Sequence, residues 1–170
     1  MEPHVNLKSS ILDKLNDQIA DEFYAAQLYL SMSTWFDAQN LVGFAHWMRL
    51  QSDEERLHGL RLFDFVNNRR AQVSLRAIAE PPHGFRSPLD ALEQAFAHEQ
   101  SVSAKINDLY ELAVSERDFA TQFELQWFVT EQVEEEQSAE LLVERVRLAG
   151  DTGAGLLLLD SQLLQRTLEG

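Results

Sequence analysis

Cysteine is absent from the 170 residues. Its absence removes disulfides, thiolate metal centres and iron–sulfur clusters, and leaves carboxylate, imidazole, amide and water as the ligands a metal could find. Basic residues are scarce: 14 Lys and Arg stand against 28 Asp and Glu, a net charge of −14. Such a surface repels phosphate backbones and anionic lipid headgroups while gathering small cations. No nucleic acid and no membrane is expected as a partner. Long apolar runs are missing too. The longest near either end, Gly155-Leu156-Leu157-Leu158-Leu159, is far too short to cross a bilayer. Met1 to Leu7 lack the charged-then-apolar order of a secretory leader. The expectation is a soluble, cytoplasmic protein.

What is present is helical. A hydrophobic share of 45% suffices for one continuous core, and the length suits one domain over residues 1–170. Four long segments carry helical periodicity, at about residues 7–36, 41–68, 88–114 and 119–149. The third opens on Ser87 as N-cap with Pro88 at the first helical position and Asp90 in the first turn. The fourth opens on Asp118 and stops at Gly150. A short fifth helix is expected at about 156–168, after glycines at 150, 153 and 155. The first and last joints of the four are short enough to force antiparallel hairpins. Between the second and third helices about 19 residues, extended, reach roughly 60 Å, whereas a helix of about 28 residues is about 42 Å long. That stretch can cross the whole bundle. The fold class expected is all-α: a four-helix bundle at about 7–149 with one long crossover, the ferritin-like arrangement.

Each long helix carries a seam of alternating three- and four-residue spacing. The seams read Leu12, Leu15, Ile19, Glu22, Ala26, Tyr29, Ser33; then Phe44, Met48, Gln51, Glu55, His58, Leu62, Phe65; then Leu92, Ala95, Glu99, Val102, Ile106, Leu109, Ala113; and Thr121, Leu125, Phe128, Gln132, Glu135, Ala139, Leu142, Val146. Every seam is broken by a glutamate near its midpoint, so Glu22, Glu55, Glu99 and Glu135 should meet at one level with His58 and Gln132. Isolated buried carboxylates cost several kcal/mol each, and no Lys or Arg shares these seams. Either the glutamates take up protons or cations bind, and two divalent ions would cancel the four charges. Glu55-x-x-His58 adds a pair spaced to reach one metal from a single helix face. The alternative is a plain bundle whose midline glutamates are solvated. Their burial separates the two.

The stretches Leu15 to Gln18, Glu22-Phe23-Tyr24, Asp53-Glu54-Glu55-Arg56-Leu57-His58, His98-Glu99-Gln100 and Gln126 to Glu135 resemble the non-haem bacterial ferritins, over essentially the full chain. The resemblance implies an iron-storage subunit with ferroxidase activity, oxidising Fe(II) with O2 or peroxide at a di-iron site. Glu22, Glu55 and His58 would hold one iron. Glu55 would bridge to a second, bound by Glu99 and Glu135 with Gln132 beside it. Tyr29 resembles the family's tyrosine next to the pair, and Trp127 its nearby tryptophan. A third iron would be held by Glu54, Glu131 and Glu134 with an oxygen from Glu135. Arg56 stands where the haem-binding relatives carry Met, and Gln132-x-x-Glu135 replaces their second Glu-x-x-His, so no haem is expected. The remaining histidines, His4, His46, His83 and His98, read as structural or surface residues. The leucines of the expected fifth helix exceed what a helix resting on a finished bundle requires. By resemblance they line an axis of a 24-subunit homo-oligomeric shell.

Overall fold

The computed structural model describes residues 7–150 and 153–168. His4 therefore lies outside the described residues. Five helices follow in order: α1 (Ser9–Ala38), α2 (Val42–Asn68), α3 (Pro88–Ser115), α4 (Phe119–Ala149) and α5 (Gly153–Leu163). There is no strand among the described residues, and none of their helices is long and apolar enough to cross a membrane. The fold is the expected all-α, four-helix bundle with a short fifth helix.

The ends of α1, α2 and α3 close alike, and without glycine. Asn40, Arg70 and Arg117 take left-handed φ values of 60°, 58° and 55°. After each, the next amide reaches back five residues: Leu41 to the Phe36 carbonyl, Ala71 to Val66 and Asp118 to Ala113. These are Schellman closures, which satisfy the last carbonyls of a helix. At Arg70 and Arg117 this conformation costs about 1 kcal/mol, so no local preference announces those stops, whereas Asn40 is of a type that tolerates it. The first helix runs two residues past its expected end. At Gly150, φ is 64° and α4 ends where a glycine marks it. The start signals also hold: Ser87 Oγ accepts from Asp90 N at 3.1 Å, and Asp118 Oδ1 accepts from Thr121 N at 3.0 Å.

α1 pairs with α2 and α3 with α4, while α1 and α3 join the two hairpins. The connection between α2 and α3 runs along α1 in α1's own direction. Ser74 N donates to Asn16 Oδ1, Arg76 pairs with Asp17, Ser31 Oγ donates to Pro82 O, and Phe85 packs edge-on against Trp35. It thus traverses the bundle, and α2 and α3 run parallel.

All seven seam residues expected on α3 and all eight on α4 are buried. On α1 three seam positions shift by one, since Ile11, Ala25 and Met32 are buried where Leu12, Ala26 and Ser33 are half-buried, and Phe36 extends the seam. On α2, Val66 replaces Phe65. The apolar core falls into two clusters. One gathers Tyr29, Met32, Phe36, Phe44, Met48 and Leu142. The other gathers Ile11, Leu15, Ile19, Leu62, Ile106 and Phe128. On every long helix, the break between them contains the midline glutamate.

The fifth helix departs from expectation. It covers Gly153–Leu163 rather than 156–168, so the glycines at 153 and 155 lie inside it. Beyond Leu163 the chain stops being helical, and Arg166 is bound instead to the side of α2: His46 Nε2 donates to its carbonyl at 2.9 Å and its guanidinium donates to Trp47 O. Those contacts are incompatible with continuing the helix. Leu159 and Leu163 are buried on the bundle, whereas Leu157 and Leu158 are 59% and 64% exposed. One face of α5 closes the end of the bundle and the other stays open.

Candidate metal centre

The level between the two apolar clusters is filled by polar side chains. Glu22, Glu55 and Glu99 are each 1% exposed, Gln132 4%, His58 6% and Glu135 7%. The solvated-glutamate alternative is therefore excluded. Glu22 arrives from α1, Glu55 and His58 from α2, Glu99 from α3, and Gln132 and Glu135 from α4.

Their ligand atoms form overlapping groups. Within each group one atom per residue lies within 4.8 Å of the others: Glu22, Glu55 and His58 in one, Glu55, Glu99 and Glu135 in a second, and His58, Glu131 and Glu135 in a third. Glu55 belongs to the first two, so one carboxylate stands between two positions suited to a cation. His58 Nδ1 is 3.4 Å from Glu55 and 3.8 Å from Glu22. It and Glu22 Oε2 are buried without any hydrogen-bond partner. Buried polar atoms are almost always satisfied, and two orphans facing each other are what a metal's ligands look like without the metal.

Electrostatics agree with geometry. Burial, then the charge of Glu55, pushes the Glu22 carboxyl well above the usual carboxylate range. Burial, followed by Glu99 and Glu135, does the same to Glu55. Glu135 is pushed up to about 8, again by burial first and by Glu99 second. Glu99 is raised by burial but held back by donors from Tyr29 and Gln132. Together these groups disfavour ionisation unless positive charge is supplied.

The neutral donors around the layer are themselves ordered. Tyr29, fully buried, donates its hydroxyl to Glu99 Oε1. Gln132 Nε2 donates to the Glu99 carboxylate at 3.2 Å and its carbonyl at 3.3 Å, and to Ser103 Oγ at 3.3 Å, so it positions Glu99. Trp127 stands edge-on to His58 with ring centroids 5.2 Å apart, and Arg61 lies 4.1 Å over its ring. Two glutamines with no expected role join the layer. Gln18 Nε2 donates to Glu22 at 2.8 Å, and Gln51 Nε2 donates to Glu55 at 3.2 Å and to Glu135 at 2.5 Å. The signal was there: on both α1 and α2 a glutamine precedes the midline glutamate by one turn.

The outer carboxylates are less gathered. A cavity of about 450 Å³ opens between α2 and α4, lined in part by Glu54, His58, Glu131, Glu134 and Glu135. Glu131 is half-buried, with Oε1 3.9 Å from His58 Nε2. Glu134 is exposed on the rim and joins none of the three groups. Glu54 is held by Arg166 at 2.6 Å.

Residues 12–149 match the family model described as Ferritin-like domain. A bacterial non-heme ferritin of Bacteroides fragilis is 40% identical over 160 residues, covering 94% of this chain and 99% of the relative. One from Staphylococcus aureus is 34% identical over 163 residues, covering 96% and 98%. Among solved structures, an engineered closed form of the Archaeoglobus fulgidus ferritin superposes with a TM-score of 0.95 at 46% identity, covering 96% of this chain and all of that one. The open-pore ferritin of the same archaeon gives 0.94 at 46% identity, covering 95% and 100%. With a ferritin-like match along the whole bundle, these relatives along nearly the whole chain, and one buried acidic layer crossing all four long helices, the chain belongs to the ferritin family.

Proposed function

We propose that the chain is an iron-storing ferroxidase subunit that takes Fe(II) as substrate in the buried layer. Glu22, Glu55 and His58 hold one ion, and Glu55, Glu99 and Glu135 the other. The observation that carries this reading is the position of Glu55 in both groups. Two Fe(II) ions supply the +4 that the four glutamates lack. They also supply two electrons, which reduce one O2 with two protons to peroxide, or one peroxide with two protons to water. Carboxylates suit the step because hard oxygen ligands favour Fe(III) and can change between one and two bonds as charge and radius change. Tyr29 and Gln132 hold Glu99 in place, while Gln18 holds Glu22 and Gln51 holds Glu55 and Glu135. Glu54, Glu131 and Glu134, with Glu135, form an outer position for a third ion.

The oxidised product is stored as mineral inside a homo-oligomeric shell of 24 copies. The open leucine face of α5 supports assembly, since an apolar patch of that kind is otherwise an aggregation hazard. A net charge of −14 supports the attraction of Fe(II). The test is to strip the protein of metal, add Fe(II) in increments in air, follow oxidation by absorbance, and run size exclusion alongside. The expected assembly is about 470 kDa, from 24 copies of 19.5 kDa. Oxidation of the first two ions per subunit should be fast, and Glu22→Ala or His58→Ala should abolish that phase while slow surface mineralisation persists. Unchanged fast oxidation in both variants would remove the buried layer from the reaction.

A further inference from the structure

One cation already reaches an outer carboxylate, Glu54, and it comes from the chain itself. Beyond α5 the guanidinium of Arg166 lies on the wall of the cavity between α2 and α4. Its Nη2 donates to Glu54 Oε2 at 2.6 Å and to Gln51 Oε1 at 3.0 Å, its Nη1 donates to Trp47 O at 3.3 Å, and its plane sits 4.4 Å over the Trp47 ring. Its side chain is 23% exposed, so the pair with Glu54 is only partly screened by water.

We propose that Arg166 is a tethered counter-ion that competes with a metal ion for Glu54 and so sets the affinity of the outer cation position. This rests on the outer third-ion position proposed above, beside the two-ion inner layer. Two consequences follow from the geometry. A guanidinium has donors only, so it must face the carbonyl oxygen of Gln51 and leaves the amide nitrogen aimed at Glu55 and Glu135. And because a divalent ion and a guanidinium repel, an ion bound at Glu54 displaces the Arg166 guanidinium and loosens the segment after α5, which then keeps only the His46 bond to the Arg166 carbonyl. Coupling of this kind is reciprocal: a docked C-terminal segment weakens the outer ion, and the outer ion weakens the docking.

The experiment uses redox-inert Zn(II) as probe on the full-length, metal-stripped assembly at constant pH. Calorimetry and equilibrium dialysis would compare the native chain with Arg166→Gln and Arg166→Lys, and hydrogen exchange would follow residues 164–168. The native chain should bind two ions tightly and a third more weakly, with exchange of 164–168 rising only as the third binds. Arg166→Gln should tighten the third ion at least tenfold, and Arg166→Lys, which keeps the charge, should stay within about threefold of native. A third-ion affinity in Arg166→Gln within twofold of native, with the inner pair intact, overturns the role of Arg166 alone. Absence of a tight pair in the native chain overturns the two-ion reading instead.

Discussion

The backbone carbonyl of Asp160 occupies space that any side chain on Gly43 would need: a Cβ built there meets that oxygen at 1.7 Å. The same residue turns its carboxylate onto α2, accepting from Phe44 N at 2.9 Å. No side chain of α2's own N-terminal region caps it, so α5 supplies the missing acceptor. Helix docking, an N-terminal cap and the course of the chain toward Arg166 all depend on one hydrogen atom at position 43.

Gly43→Ala should therefore release α5. The obstacle is backbone and cannot rotate away, so the cap and the burial of Leu159 and Leu163 are lost together. A cost of about 3 kcal/mol is expected from a cap worth about 1 and partial loss of two leucines worth about 2. Thermal unfolding should fall by about 6–12 °C at this chain length. An unchanged melting temperature would mean that α5 contributes nothing to the fold.

The buried layer makes the stability of the metal-free protein depend on pH in an unusual direction. Glu22, Glu55, Glu99 and Glu135 all have folded values above the ordinary carboxylate value, so the folded state binds more protons than the unfolded one across the intervening range. Their contribution is fully present below about pH 4.5 and is lost as pH rises through the folded values, of which that of Glu135 is about 8. Stripped protein should melt at lower temperature at pH 8.5 than at pH 6. Saturating Zn(II) should remove that decline, because the ions hold the charged forms. A stripped protein that gains stability from pH 6 to pH 8.5 would contradict the layer's electrostatics.

Gln18 offers a narrower test. Its donor to Glu22 works against burial by favouring the charged carboxylate. Gln18→Leu should raise the carboxyl further, so protons compete better with metal. Zn(II) affinity should fall about tenfold near pH 6.5, and the deficit should shrink at pH 8.5. A deficit of equal size at both pH values would point to lost packing instead.

At the opposite end of the bundle, Asp118 caps α4 and forms a two-pronged pair with Arg69 at 2.9 and 3.0 Å. Burial alone would raise its carboxyl, but the Arg69 and Thr121 donors outweigh it and hold the group low. Its contribution is present above the ordinary Asp value and lost as pH falls through the lower folded value. Asp118→Ala should cost about 2 kcal/mol, read as a lower urea midpoint at neutral pH. Asp118→Asn should retain the cap and recover about half. If alanine and asparagine behave alike, the cap is not what the carboxylate supplies.

Much of this was legible in residue order. Spacing alone put Glu22, Glu55, Glu99 and Glu135 on the inner faces of four helices, because a helix repeats every 3.6 residues and an interrupted apolar seam shows where the interruption points. Ser87-Pro88 and Gly150 marked helix ends through local chemistry that needs no partner. Tertiary structure decided the rest. The closures at Arg70 and Arg117 are stabilised by hydrogen bonds rather than by a residue's own preference, and so leave no mark in composition. The docking of Arg166 on Glu54 and of Asp160 on α2 joins residues more than a hundred positions apart, and no periodicity relates them. Local sequence determines which way each helix faces; only the packed bundle determines which distant charge meets it there.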